Sequence, residues 1–283
     1  MNDFQRVLDI AEQHLLMLKT AGVRFLSVEP STLSQLREPP PAPAPETHAH
    51  ETNGISGTDA PVEKLQANGH VEQPSAQDVE TAMAELRQRA TVCLKCPHLV
   101  KSRKNVVFGV GDIHAPLMFV GEAPGADEDA QGEPFVGAAG QLLTRIIKTM
   151  GLSRETVYIA NILKCRPDTP GQSYGNRKPT ADEMKTCLPY LLEQIDLIRP
   201  RVLVALGATA LEGLLGATGG ITRHRGKFQT FRAIPLMPTF HPSYLLHNSA
   251  LTEKRKVWED MLQVMEKLQM PISEKQRGFF LKA

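Results

Sequence analysis

Residues 117–143 read LMFVGEAPGADEDAQGEPFVGAAGQLL. An unbroken apolar run of five residues stops at Gly121-Glu122-Ala123-Pro124-Gly125, and from residue 139 to 150 the apolar positions return at helical spacing. A short run with no polar alternation describes a strand covered on both faces. The unit recurs outward from this stretch. VYIAN (157–161), VLVALG (202–207) and IPLMPTF (234–240) are apolar runs of the same kind, and residues 180–198, 207–216 and 251–268 carry helical patterns. The expectation is an α/β domain over residues 81–270, a three-layer α/β/α arrangement around a central, mostly parallel four-stranded sheet. Ligands of such folds bind beyond the carboxyl ends of the strands, so the residues after each run are the ones to read for chemistry.

The flanks differ in character. Over residues 1–30, Phe4, Val7, Leu8, Ala11, Leu15 and Leu18 recur at three- and four-residue steps and predict an amphipathic helix, which either docks on the body or recruits a partner protein. Residues 31–80 are rich in Pro, Ala and Glu with few large apolar side chains, and are expected to be a disordered linker. The C-terminal tail, residues 271–283, contains Lys275-Gln276-Arg277-Gly278-Phe279-Phe280. It reads as a frayed end, with a docking tail for a sliding clamp as the alternative. The formal net charge of +1 hides an asymmetry: residues 1–81 hold 5 basic against 12 acidic residues, and residues 82–283 hold 27 against 19. A basic body with an acidic arm is compatible with binding a polyanion. No apolar run reaches the roughly 20 residues of a membrane helix, and MNDFQ does not open a secretory signal, so a cytoplasmic protein with no membrane partner is expected.

Three strand ends carry candidate chemistry. After the first, Phe135 lies between Pro134 and Gly137 in a loop where its ring could offer a face to a base; a core plug is the bland alternative. Asn161 ends the second and presents both a donor and an acceptor, as reading the polar edge of a base requires; a turn-forming asparagine is the bland alternative. His241 follows the last strand, and Pro242 fixes its exit, so its imidazole could donate to an oxygen gaining charge. Leu245 and Leu246 could wedge into a duplex or pack beneath the next helix. Arg223, Arg225, Lys227 and the run 254–256 are candidate phosphate contacts. In a reducing compartment the four cysteines are better metal ligands than disulfide partners. Cys93 and Cys96 form a CxxC pair, Cys165 and Cys187 lie far downstream, and the spacing alone does not choose between zinc, the commoner answer for such a set, and an iron–sulfur cluster.

GEAPGADEDAQGEPFVGAAGQLL, NILKCRP and TFHPSYLL, in this order, resemble the motifs of the iron–sulfur (family 4) uracil-DNA glycosylases over roughly residues 91–268. The resemblance implies an enzyme that flips uracil from DNA and hydrolyses its N-glycosidic bond, leaving an abasic site, with uracil-containing DNA as the partner of a monomeric protein. It implies that Phe135 stacks on uracil, Asn161 reads its edge, the backbone at Glu122 and Ala123 lines the pocket, and His241 stabilises charge on O2. It further implies a 4Fe–4S cluster on Cys93, Cys96, Cys165 and Cys187. Glu128 is the favoured residue for handling the water, with Asp127 and Asp129 as neighbours that make the choice ambiguous. A related group bonds covalently to the abasic sugar through a loop histidine; the corresponding residues 168–180, DTPGQSYGNRKPT, hold no histidine, and His224 is expected to meet phosphate instead. A non-catalytic DNA-binding module would not need Phe135, Asn161 and His241 together. A zinc-containing nucleotide enzyme would want a GxxxxGK[ST] loop, which is absent.

Overall fold

A computed structural model describes residues 76–168 and 176–281. The expected N-terminal helix and most of the expected linker lie outside the described residues. The described chain runs α1 (Ala76–Thr91), α2 (Pro97–Ser102), β1 (Val110–Gly111), β2 (Leu117–Gly121), α3 (Ala126–Gln131), α4 (Ala138–Thr149) and β3 (Tyr158–Asn161). It continues through α5 (Ala181–Ile198), β4 (Val202–Leu206), α6 (Ala208–Leu215), a 3-10 turn (Ile221–Arg223), β5 (Gln229–Phe231) and β6 (Ile234–Thr239). It closes with α7 (Pro242–His247), α8 (Leu251–Lys267) and α9 (Glu274–Gly278). The first helix begins at Ala76, inside the stretch expected as linker, because Val79, Met83 and Leu86 recur at helical spacing and are buried.

The sheet order is β1-β3-β2-β4-β6-β5. The four strands expected from their apolar runs form its parallel centre, with β2 between β3 and β4, and β6 beyond β4. Two short antiparallel edge strands, β1 and β5, extend it to six. Every residue of β2, β3 and β4 is buried, as a sheet covered on both faces demands. One face packs Met118, Tyr158 and Leu203 against α1, α5 and α6 residues such as Leu86, Leu191 and Leu211. The other packs Phe119, Ile159 and Val204 against Leu143 and Ile147 of α4 and Met261 and Met265 of α8.

Local signals fix the helix ends. Thr180 caps α5 by accepting from the Glu183 N–H at 3.2 Å, while the Glu183 carboxylate accepts from the Thr180 N–H at 2.7 Å. Residues 271–281 of the C-terminal tail are not frayed. Trp258 Nε1 donates to the Gln276 carbonyl at 2.6 Å, Arg255 donates to the carbonyls of Arg277 and Phe279 at 2.8 Å, and the Phe279 ring stands edge-on to Trp258 at 5.6 Å. Buried indole N–H groups need an acceptor, and α9 supplies it.

Candidate active site

Glycine, amide and imidazole meet where β2, β3 and β6 end. Gly121 and Asn161 are partners in the parallel register, and the chain beyond stays locked: Ile162 N–H donates to the Gly121 carbonyl and Leu163 N–H to that of Glu122, both at 3.0 Å. Beyond these ends lies a cavity of about 460 Å³ lined by Glu122, Ala123, Phe135, Asn161 and His241. The Asn161 side chain is 2% exposed, and its Oδ1 is the only buried side-chain acceptor without a hydrogen-bond partner among the described residues. Leaving such an atom unpaired costs about 1–3 kcal/mol, and its place on the cavity wall leaves it open to a ligand donor.

Phe135 is held in a backbone conformation that a phenylalanine rarely adopts, at φ 56°. Arg154 holds it there by donating to the carbonyls of Phe135 at 3.0 Å and Pro134 at 2.7 Å. Gly140 permits the packing, since a Cβ there would fall 1.8 Å from the Phe135 carbonyl oxygen. The ring stands 5.7 Å from the His241 ring, tilted by 33°. Gly121 plays the same part on the other side: a Cβ would meet Asn161 Oδ1 at 2.4 Å and the Phe135 ring at 2.5 Å.

His241 is the N-cap of α7. Its Nδ1 accepts from the Ser243 N–H at 3.2 Å, with the Ser243 hydroxyl 2.7 Å away. A backbone N–H can only donate, so Nδ1 carries no proton and the neutral ring is protonated on Nε2. Burial lowers the His241 pKa to about 4, against the opposing pull of the Glu128 charge. The ring is therefore a neutral donor at ordinary pH.

The acidic cluster is differently employed than expected. Glu128 Oε1 accepts from the N–H groups of Val136 at 2.9 Å and Gly137 at 3.0 Å, and Oε2 accepts from Gly125 at 3.0 Å. With three backbone donors on its carboxylate, Glu128 clamps the Phe135 loop to the start of α3, and it also lines the cavity. Asp129 is buried and accepts from the N–H groups of Lys104 and Asn105. Asp127 is exposed, and its Oδ2 approaches Gly137.

A model of the uracil DNA glycosylase superfamily matches residues 108–262, which span the sheet and every pocket residue named above. The chain belongs to this superfamily. It is 45% identical over 185 residues to a type-4 uracil-DNA glycosylase of Thermotoga maritima, covering 64% of this chain and 92% of that protein. To the type-4 enzyme of Saccharolobus solfataricus it is 43% identical, covering 62% and 82%. A type-5 uracil-DNA glycosylase of Pyrobaculum aerophilum is 30% identical, covering 57% and 82%. The higher identities place the chain with the type-4 glycosylases.

Within this superfamily member the four cysteines, more than 90 residues apart in sequence at the extremes, line one small cavity with Leu99, Leu163 and Tyr190. Arg103 donates to Cys165 Sγ at 3.2 Å, and the Lys164 N–H donates to Cys187 Sγ at 3.2 Å. Burial raises the thiols of Cys96 and Cys165 and pushes Cys187 up to about 12. Among the described residues no three His, Cys, Asp or Glu side chains close on a single point as ligands of one ion; the thiols instead stand around the cavity. Lys164 ties this region to the pocket, because its buried Nζ donates to the Asn161 carbonyl at 3.1 Å and to Gln194 Oε1 at 2.6 Å.

Three expected DNA contacts are corrected by their surroundings. Arg225 is 14% exposed and forms a bidentate pair with Asp260 at 2.6 and 3.1 Å, lying over the Phe240 ring, so it braces β6 against α8 and does not meet phosphate. Leu245 is 5% exposed and packs on Phe240 and Val257, which makes it core rather than wedge. Leu246, 43% exposed, is free to take that part, and Arg223 and Lys227 stay exposed. His224 Nε2 lies 2.9 Å from the Thr218 carbonyl instead of being offered to phosphate. Sequence reading missed Gly207, Thr209, Asn176 and Ser243 in the lining. Ser243 alone had a signal, its place two residues after His241.

Proposed function

We infer that this glycosylase removes uracil from DNA by hydrolysing its N-glycosidic bond, with Phe135, Asn161 and His241 as the groups that touch the base. The observation that carries the reading is the orphaned Asn161 Oδ1 inside the cavity. Uracil N3–H is a donor for it, whereas cytosine offers a lone pair at N3 and is rejected by the same atom. A base must leave the duplex to enter, at a cost of a few kcal/mol, and the Phe135 face recovers part of that by stacking. His241 Nε2–H donates to uracil O2 as the C1′–N1 bond lengthens and charge gathers there. A neutral donor suits this step, because a cationic ring would repel the developing oxocarbenium sugar. Water then adds its oxygen to C1′, and its proton leaves with the uracil anion. Glu128, committed to three amides, contributes a fixed negative charge beside the cationic sugar and holds the loop. A dissociative path needs the water placed rather than strongly deprotonated.

The four thiols around one cavity fit a 4Fe–4S cluster, which takes one cysteine at each corner, better than a lone ion that draws every sulfur to about 2.3 Å. When bound, the cluster supplies cross-linking of α2, α5 and the segment after Asn161, with no electron step in hydrolysis. Incubation with a uracil-containing oligonucleotide followed by alkali tests the reading: strand cleavage at uracil supports it. A gel-shifted covalent product would transfer the chain to the trapping chemistry, and an intact strand would overturn catalysis.

A further inference from the structure

A second cavity of about 500 Å³ runs along the same two helices that wall the uracil pocket. Ala139 of α4 and Ser243 of α7 face the pocket; farther along each helix, Leu142, Ile146 and Leu245 form the floor of the second groove, with Val257 of α8 behind them. Its surface is mostly apolar, but Arg145 and Lys254 stand on its rim, and neither side chain meets a carboxylate among the described residues. Phe280, 40% exposed, and Leu246 complete the rim. An apolar floor under two unpaired cations matches a flat apolar ring attached to an anion.

We propose that this groove is a second nucleotide subsite, taking a base of the uracil-bearing strand on its apolar floor and the adjoining phosphate between Arg145 and Lys254. The spacing is the strongest argument. On α7, Ser243 lines the uracil pocket and Leu246 lines the groove, three residues on and so about 4.5 Å along the helix axis, which puts the two cavities within reach of neighbouring nucleotides. A strand that places uracil against His241 therefore has the groove beside it for a neighbouring base. The Phe280 ring stands where it can stack on that base, and the exposed Leu246 side chain separates the two bases. An amphipathic acidic peptide would share the chemistry but would have no reason to begin at the uracil pocket.

The inference rests on the uracil reading, and its test separates the two. Single-stranded oligonucleotides carrying one uracil are made with each of the two bases on either side replaced in turn by a baseless tetrahydrofuran. Kd is followed by fluorescence anisotropy and excision by alkali cleavage. Loss of a base at one position, on one side only, is expected to weaken binding about tenfold, and Phe280→Ala, at an exposed ring of the rim, should shrink that difference while leaving the melting temperature within a few degrees. Arg145→Ala, a rim change with no core role, should lower the salt slope of binding by roughly 0.7. Equal affinities for all four substituted strands would overturn the subsite and leave the groove to a protein partner, even if uracil is excised. A position-dependent Kd without excision would leave the subsite standing and refute the glycosylase reading.

Discussion

Gly121→Ala adds one methyl group and should disable the pocket while sparing the fold. Gly121 has ordinary strand geometry, so the substitution creates no backbone strain. The added Cβ would lie 2.4 Å from Asn161 Oδ1 and 2.5 and 2.7 Å from two atoms of the Phe135 ring. Ordinary van der Waals separation is about 3.5–4.0 Å, so the amide and the ring must each retreat by about 1 Å. The backbone of Asn161 is fixed by the register of β3 and that of Phe135 by Arg154 and Glu128 through its loop, so the two side chains yield by turning into the cavity that the base needs. Overpacking of this kind costs about 1–3 kcal/mol of stability, while a 1 Å misplacement of positioning groups costs on the order of a hundredfold in rate. Steady-state excision of uracil from a labelled oligonucleotide, alongside thermal unfolding, should show kcat/KM down about a hundredfold with a cooperative transition retained. A variant within threefold of wild type would refute the claim that the Asn161 amide and the Phe135 face act from these positions.

Three further outcomes follow from the same contacts. Asp260→Ala strands the buried Arg225 and should lower stability by about 3–5 kcal/mol in denaturant unfolding; a change below 1 kcal/mol would mean that Arg225 turns outward to solvent. Glu128→Gln leaves one of the clamped amides facing an NH₂ group, so the melting temperature and kcat/KM should fall together; a large fall in kcat with unchanged melting temperature would restore Glu128 as a base. With its pKa lowered to about 4, His241 is neutral in the free enzyme down to pH 5, so kcat/KM should show no inflection near 6.5 arising from this ring. In stability the sign is the reverse of the usual salt-bridged histidine: below about pH 6.5 the unfolded chain binds a proton that the folded chain refuses, and stability falls by roughly 3 kcal/mol toward pH 4. NMR titration of the ring, with an inflection near 6.5, would contradict both statements.

The parallel centre of the sheet was legible because strands buried on both faces must be apolar throughout, as LMFVG and VLVAL are. The edges were not: Val110–Gly111 and Gln229–Phe231 are too short and too half-exposed to show a period. Phe135, Asn161 and His241 were readable as strand-end residues, and the structure brings them round one cavity. What sequence hid is what depends on distant partners. The charge of Arg225 suggested phosphate because Asp260 is 35 residues away on another helix. Among three consecutive acids, only amides of distant segments, at Val136 and Gly137 for Glu128 and at Lys104 and Asn105 for Asp129, distinguish these two from Asp127, which has no hydrogen-bond partner among the described residues. No local pattern announces that Gly121 and Gly140 are required by close approach within the chain, with Cβ gaps of 2.4 and 1.8 Å. Leu245 and Leu246 are neighbours with opposite fates, because a helix turns successive residues to different sides.

The most direct measurement is the amount of free base released from two otherwise identical oligonucleotides, one with a single uracil and one with cytosine at that position, by wild-type protein and by Asn161→Ala. Wild type should release one uracil per strand and no cytosine, and Asn161→Ala should release uracil at a rate lower by about a hundred- to a thousandfold with its melting temperature unchanged. Uracil release by Asn161→Ala at the wild-type rate would contradict the assignment of the orphaned Asn161 Oδ1 to base recognition, and with it the account of the pocket.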